Sequence, residues 1–286
     1  MTDLSPRFRP LRRTELDIVL DWAAAEGWNP GLHDADAFWA ADPEGFIGME
    51  IDDQLVGSAS IVSYGAKLGF VGLFIVCPEW RRRGLGTEFW NFFIKRLVER
   101  LEAGAPASLD GVFDMQAYYA RSGFTFSHRN LRMEGVGKAS EISTVLVELS
   151  TLPFRDVLQY DQAHFGMERA EFLKHWINPP GGHGLTVPLE GGIAGYGVIR
   201  PCRKGFKIGP LFANDLDTAE LLFAGLADHA AGSPIFLDVP ENNPKALELA
   251  AKHGLKECFG CARMSTGLLP AIPWHNVYGV TTFELG

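Results

Sequence analysis

The stretch Phe74-Ile75-Val76-Cys77-Pro78-Glu79-Trp80-Arg81-Arg82-Arg83-Gly84-Leu85-Gly86-Thr87 joins two segments of opposite pattern. Before it, residues 70–76 are almost continuously apolar, as expected of a central strand buried on both faces. After it, residues 87–101 carry Phe89, Trp90, Phe93, Ile94, Leu97, Val98 and Leu101 on one stripe, the pattern of an amphipathic helix. Trp90 and its neighbours on that stripe are therefore core. The turn between strand and helix is basic and rich in glycine. A helix N-terminus offers unpaired N–H groups and the positive end of a dipole. Glycines there let a ligand approach the backbone, and arginines add charge and donors. A diphosphate fits such a cradle. An Arg-Gly run alone would also suit a solvated chain reversal; its place between buried strand and amphipathic helix favours the phosphate site.

The turn is neither G-x-G-x-x-G nor G-x-x-x-x-G-K-[ST], so neither a dinucleotide fold nor a P-loop is indicated. Its order of apolar residue, Val76, Pro78, Arg81, Gly84 and Gly86 resembles the acetyl-CoA signature of the GNAT acetyltransferase superfamily. Tyr119-Ala120-Arg121-Ser122-Gly123-Phe124 is similar to that superfamily's Y-x-x-x-G-F helix. Gly27-Trp28-Asn29-Pro30-Gly31 and Asp42-Pro43-Glu44-Gly45-Phe46 resemble bacterial proteins with two fused GNAT domains.

The chain also repeats itself. The pairs Leu55-Val56-Gly57 and Ile193-Ala194-Gly195, Gly69-Phe70 and Gly205-Phe206, Gly123-Phe124 and Gly254-Leu255, and Arg132-Met133 and Arg263-Met264 keep one order, 131 to 138 residues apart. Indels in loops give such a drift. The expected organisation is α/β, mixed α+β: two tandem GNAT-like domains, each a central mixed sheet flanked by helices. Residues 1–138 would be the acetyl-CoA-binding and catalytic domain and 142–286 a degenerate, substrate-shaping one, joined near 137–142. In the second half the equivalent turn reads Gly209-Pro210-Leu211-Phe212-Ala213-Asn214-Asp215-Leu216-Asp217, with no basic glycine cradle, and Ala250 stands opposite Tyr119. Its acidic residues would repel a diphosphate and could attract a cationic acceptor if they faced the first domain's cleft.

The resemblance implies acetyl transfer from acetyl-CoA to a primary amine by direct attack in a ternary complex. Phe74, Ile75 and Val76 would line the pantetheine and acetyl end. Arg81, Arg82, Arg83, Gly84, Leu85, Gly86 and Thr87 would hold the diphosphate, and Tyr119 would protonate the departing thiolate. Tyr118 beside it could shift that register by one. A base is needed because an alkyl ammonium must lose a proton before attack. Asp110 is the nearest carboxylate on the following strand, although an Asp before Gly also suits a turn. Asp238 repeats the same Leu-Asp pattern, which favours a structural role for both. The asparagine usual at the start of the tyrosine-bearing helix is absent; Val112 stands there, with Gln116 as a substitute. The missing carboxylate keeps a second reading open, a non-catalytic acyl-CoA-binding or sensing protein.

Composition bounds the rest. The chain has 286 residues, 47% hydrophobic and 21% charged, with a net charge of −9. That acidity disfavours nucleic acid, and the acceptor is expected to be a small-molecule amine or a peptide amine. No apolar run approaches the ~20 residues of a membrane span. The N-terminus lacks a secretory apolar region, and four cysteines are too few for a disulfide scaffold, so the cytoplasm is expected. Cys258 and Cys261 form one C-x-x-C with no partner pair, and the histidines show no ligand spacing, so no metal is expected. His183, between glycines, could edge a pocket. Nothing in the sequence bears on oligomeric state.

Overall fold

The computed structural model describes residues 5–140 and 143–286; Met1 to Leu4, and residues 141 and 142 of the expected joint, lie outside the described residues. The first half runs β1 (Arg7–Pro10), α1 (Arg13–Ala25), α2 (Asp34–Ala41), β2 (Phe46–Ile51), β3 (Gln54–Tyr64), β4 (Leu68–Val76), α3 (Leu85–Glu99), β5 (Ala107–Val112), α4 (Gln116–Ala120) and β6 (Thr125–Val136). The second repeats it as β7 (Val147–Glu148), α5 (Phe154–Phe165), α6 (Ala170–Trp176), β8 (His183–Leu189), β9 (Gly192–Pro201), β10 (Phe206–Ala213), α7 (Leu216–His229), β11 (Pro234–Pro240), α8 (Pro244–Lys252) and β12 (Lys256–Ser265). A short β13 (Val277–Gly279) follows. The α/β class is as expected, and α3 starts two residues before the apolar stripe suggested, at Leu85.

Two separate sheets were expected, but the strands form one, in the order β1-β2-β3-β4-β5-β12-β6-β11-β10-β9-β8-β7. The order is palindromic about the β12–β6 pair. Each half lends its last long strand to the other: β12 runs antiparallel beside β5, and β6 beside β11. The Arg-Met and Leu-Asp repeats explain why. Arg263 on β12 reaches Asp110 on β5 through Nε–Oδ1 at 2.8 Å and Nη2–Oδ2 at 2.6 Å. Arg132 on β6 reaches Asp238 on β11 through Nε–Oδ1 and Nη2–Oδ2, both at 2.7 Å. Both are buried two-pronged pairs, and each needs the partner half to be satisfied.

Three apolar clusters cover the sheet. Trp90, Phe89 and Phe93 of α3 pack on one face of the first half, and Leu222, Phe223 and Leu226 of α7 on the matching face of the second. The opposite face is shared: Leu16, Leu20 and Phe38 of the first half meet Phe172 and Trp176 of the second in one core. No helix among the described residues is long and apolar enough to cross a membrane.

Candidate active site

Strands β4 and β5 run parallel only where Gly69, Phe70 and Val71 face Ala107, Ser108 and Leu109. Beyond that they part. The β3–β4 register shows the cause: Ser58 and Ser60 face Ile75 and Gly72, so β4 carries one extra residue there. Leu73 absorbs it with φ +45°, a strained value for a residue with a Cβ, and Ser58 Oγ donates to its carbonyl at 2.9 Å. The parting strands open a cleft of about 360 Å³.

Phe74, Ile75, Val76 and Arg81 line one wall of this cleft. Its outer end is the basic turn. Gly84 has φ +83° and open space where a Cβ would stand, and it caps α3. Thr87 and Glu88 N–H both donate to Gly84 O, whereas the N–H groups of Arg82, Arg83, Gly84, Leu85 and Gly86 have no partner among the described residues. The unpartnered N–H groups thus fall in the turn that the sequence singled out. The three arginines divide their work. Arg81 Nε donates to Val76 O at 2.7 Å and its Nη2 to Glu26, while Arg83 Nη2 donates to Glu79 O at 2.8 Å. Both brace the turn. The Arg82 side chain makes no hydrogen bond among the described residues, and this residue holds φ +62°.

Tyr119 forms the inner wall. Its ring lies 5.1 Å from that of Trp90 and packs on Gly111, where a Cβ would meet Tyr119 Cε2 at 2.3 Å. Tyr119 is buried and lines the cleft, whereas Tyr118 is half-buried and does not. Burial raises the Tyr119 phenol above its ordinary range, and the phenol stays loaded with its proton. Asp110 also borders the cleft, but Arg263 takes both its oxygens and Asn130 Nδ2 adds a 2.8 Å bond. Its carboxylate is a strand lock, not a free base. Cys261 also lines the cleft, and burial pushes its thiol up.

The remaining wall was not legible in the sequence. Glu26 and Trp28 come from the segment between α1 and α2, Phe259 from β12, and Phe283 and Glu284 from the final segment. That segment first fills the place in the second half that matches the cleft in the first. There β13 pairs with β10, Asn243 Nδ2 donates to Val277 O at 2.9 Å, and Val280 N donates to Asp238 O. The neighbouring helix start is also closed, since Asp215 caps α7 by accepting from Thr218 N–H at 2.8 Å. The acidic turn thus serves its own helix and is not part of the first half's cleft. His183 sits on β8 beside Glu148, also outside the cleft.

Comparison with known proteins agrees with the geometry. Residues 12–124 match the acetyltransferase (GNAT) family, and residues 157–279 match an acetyltransferase (GNAT) domain. The chain is 28% identical to the holothin acyltransferase of Pseudoalteromonas sp. (strain SANK 73390), over 97% of this chain and 94% of that protein. It is 24% identical to the uncharacterised N-acetyltransferase YitH of Bacillus subtilis (strain 168), over 69% of this chain and 70% of the other. A putative acetyltransferase from Pyrococcus horikoshii has the same fold, with a TM-score of 0.83 at 23% identity over 100% of this chain and 99% of that one. A tandem GNAT protein from the clavulanic acid biosynthesis pathway superposes with a TM-score of 0.60 at 15% identity, over 92% and 99% of the two chains. With one GNAT match in each half, the chain is an acyltransferase of the GNAT superfamily carrying two fused domains.

Proposed function

We propose that this chain moves an acetyl group from acetyl-CoA to a primary amine, by direct attack in a ternary complex, in the cleft of its first half. The carrying observation is the run of unpartnered N–H groups at residues 82–86, which follows directly in the chain on Arg81 and the Phe74–Val76 wall of the cleft that Tyr119 also lines. The matching helix start in the second half is capped by Asp215 and its slot is filled by β13, which supports one donor site per chain.

In this reading the N–H groups of residues 82–86 and the Arg82 guanidinium bind the diphosphate. Phe74, Ile75 and Val76 guide the pantetheine arm to the bulge at Leu73. A main-chain N–H on that bulged strand stabilises charge on the attacked carbonyl oxygen. Tyr119 gives its proton to the departing thiolate. Burial of the Cys261 thiol, which favours its protonated form, is in keeping with direct attack by the amine rather than a covalent acyl-enzyme. Trp28, Phe259 and Phe283 with Glu26 and Glu284 form an aromatic and acidic wall, suited to an ammonium with an apolar body. The degenerate domain thereby completes the acceptor side. Tyr119 in the cleft favours catalysis over acyl-CoA sensing.

Calorimetry with acetyl-CoA tests the donor site. One site per chain is expected. A Cβ on Gly86 would stand 3.8 Å from Phe74 Cζ and Val76 Cγ2, an ordinary contact that points into the cleft. Gly86→Leu should therefore fold and lose acetyl-CoA binding. Two equal sites, or unchanged affinity in the variant, would refute the assignment.

A further inference from the structure

The final segment passes from the second half into the first and stops against the bulged strand. A Cβ on Gly72 would stand 2.0 Å from the carbonyl oxygen of Glu284, so this residue's main chain touches β4 just before the bulge. The contact is secured from both halves. Tyr64 Oη donates to Leu285 O at 2.8 Å, Arg169 Nη2 donates to Thr281 Oγ1 at 2.8 Å, and the Glu284 and Leu285 N–H groups donate to Thr282 Oγ1 at 2.8 and 3.1 Å. Glu284 is only 4% exposed, lines the cleft, and has a buried Oε2 with no hydrogen-bond partner. A buried acceptor left unpaired costs about 1–3 kcal/mol, more when charged. Asp110 is saturated, and Glu26 is held by Arg81 and more exposed, which leaves Glu284 as the cleft carboxylate with a buried oxygen that has no partner among the described residues.

We propose that Glu284, carried across from the second half, is the general base that takes the proton from the acceptor ammonium. The proposal rests on the N-acetyltransferase reading above. The proton balance is simple. Glu284 accepts one proton from the ammonium, and the freed nitrogen lone pair forms the C–N bond at the thioester carbon. The C–S bond then breaks, and Tyr119 protonates the thiolate. The N-protonated amide left by that collapse returns the second nitrogen proton to Tyr119 through water. Glu284 releases its proton to solvent, so amine and acetyl-CoA become amide, CoA thiol and one proton. The charges facing Glu284 are Arg132 from β6, Arg200 from β9 and Lys207 from β10, with the Cys261 thiol on β12. Arg132 and Arg200 are paired with Asp238 and Asp34, whereas Lys207 Nζ is buried and unpartnered. The competing role for Glu284 is thus a structural counter-charge to Lys207.

The test measures thiol release from acetyl-CoA with benzylamine, 2-phenylethylamine, tyramine, tryptamine and putrescine. Each responding arylethylamine is then compared with its β,β-difluoro derivative, a close isostere with a far more acidic ammonium. Glu284→Gln should lower kcat/KM by about 10²–10⁴-fold, the range of one acid–base group, with acetyl-CoA affinity unchanged. The deficit should shrink for the difluoro amine, which is largely neutral without help. Glu284→Asp should recover part of the rate. An equal deficit for both amines, or rescue of Glu284→Gln by adding Lys207→Met, would assign Glu284 a structural role and overturn the proposal. So would activity within threefold of the unaltered protein. No amine-dependent release from the unaltered protein, despite bound acetyl-CoA, would instead overturn the amine-acceptor reading, and the base with it.

Discussion

Replacing Gly72 by alanine adds one methyl group where two halves of the molecule meet. The new Cβ would lie 2.0 Å from Glu284 O and 2.9 Å from Ser60 Oγ, while real Cβ contacts hold to 3.0 Å or more. The serine hydroxyl can rotate away, but the carbonyl belongs to main chain fixed by Tyr64, Thr282 and Arg169. Relief therefore requires the final segment to retreat by about 1 Å, the difference between 3.0 and 2.0 Å. Overpacking of this kind typically costs about 1–3 kcal/mol. For a chain of this size that is a fall in Tm of roughly 2–10 °C. The functional loss should be larger in proportion, because a misplacement of about 1 Å can cost about 10²-fold in rate. Residues 82–86, proposed to bind the donor by main chain, lie beyond the end of β4 and make no contact with the final segment's Glu284 carbonyl, so acetyl-CoA affinity should hold. The assay pairs thermal unfolding with thiol release at saturating acetyl-CoA. A Gly72→Ala protein with unchanged Tm and turnover would refute the packing of the final segment against β4.

Tyr119→Phe should lower kcat and kcat/KM together by about 10²–10⁴-fold with acetyl-CoA affinity kept; a larger loss in Tyr118→Phe would move the acid. Because burial holds the Tyr119 phenol protonated, the pH–rate profile should show no alkaline limb from it up to pH of about 10. Arg132→Met should cost about 3–5 kcal/mol by stranding Asp238 in the core, and Arg132→Met with Asp238→Leu should recover most of it; equal losses in urea unfolding would show that the pair is uncoupled. Burial lowers the His128 pKa to about 3, with Arg263 adding to the effect, so the unfolded chain binds the proton first on acidification. Stability should fall as pH drops below about 6.5, by up to about 1.4 kcal/mol per pH unit from this residue, and His128→Gln should flatten that slope.

The parts of the site that lie close together in the chain could be read from it. The proposed cradle is one contiguous turn, so strand pattern, glycines and arginines mark it without tertiary information. Tyr119 was readable because Gly123-Phe124 fixes its register after the helix, and Gly111 is the backbone gap its ring needs. What escaped was pairing. Arg263 and Asp110 each lie in a strand whose apolar alternation says nothing about its neighbour, so their repetition as Arg132 and Asp238 signalled a duplication but not an exchange. The sequence offered Asp110 both as a candidate base and as a structural residue, and its bond partner, which decides for the latter, lies 153 positions away. Glu284 had no local mark, since only the passage of β13 through the second half's empty slot brings it to β4.

The exchanged strands also set a timetable for synthesis. The edge of β5 cannot receive its final neighbour until residues 256–265 have been made, long after the rest of the first half has left the ribosome. At about 5–20 residues per second, the nascent chain waits on the order of ten seconds with that edge open. During the wait β6 is the nearest strand able to cover β5, and doing so would leave Asp110 without Arg263. The native order then requires β6 to be surrendered to β11, and the two arginine–aspartate pairs supply a reason for the trade that neither half has alone.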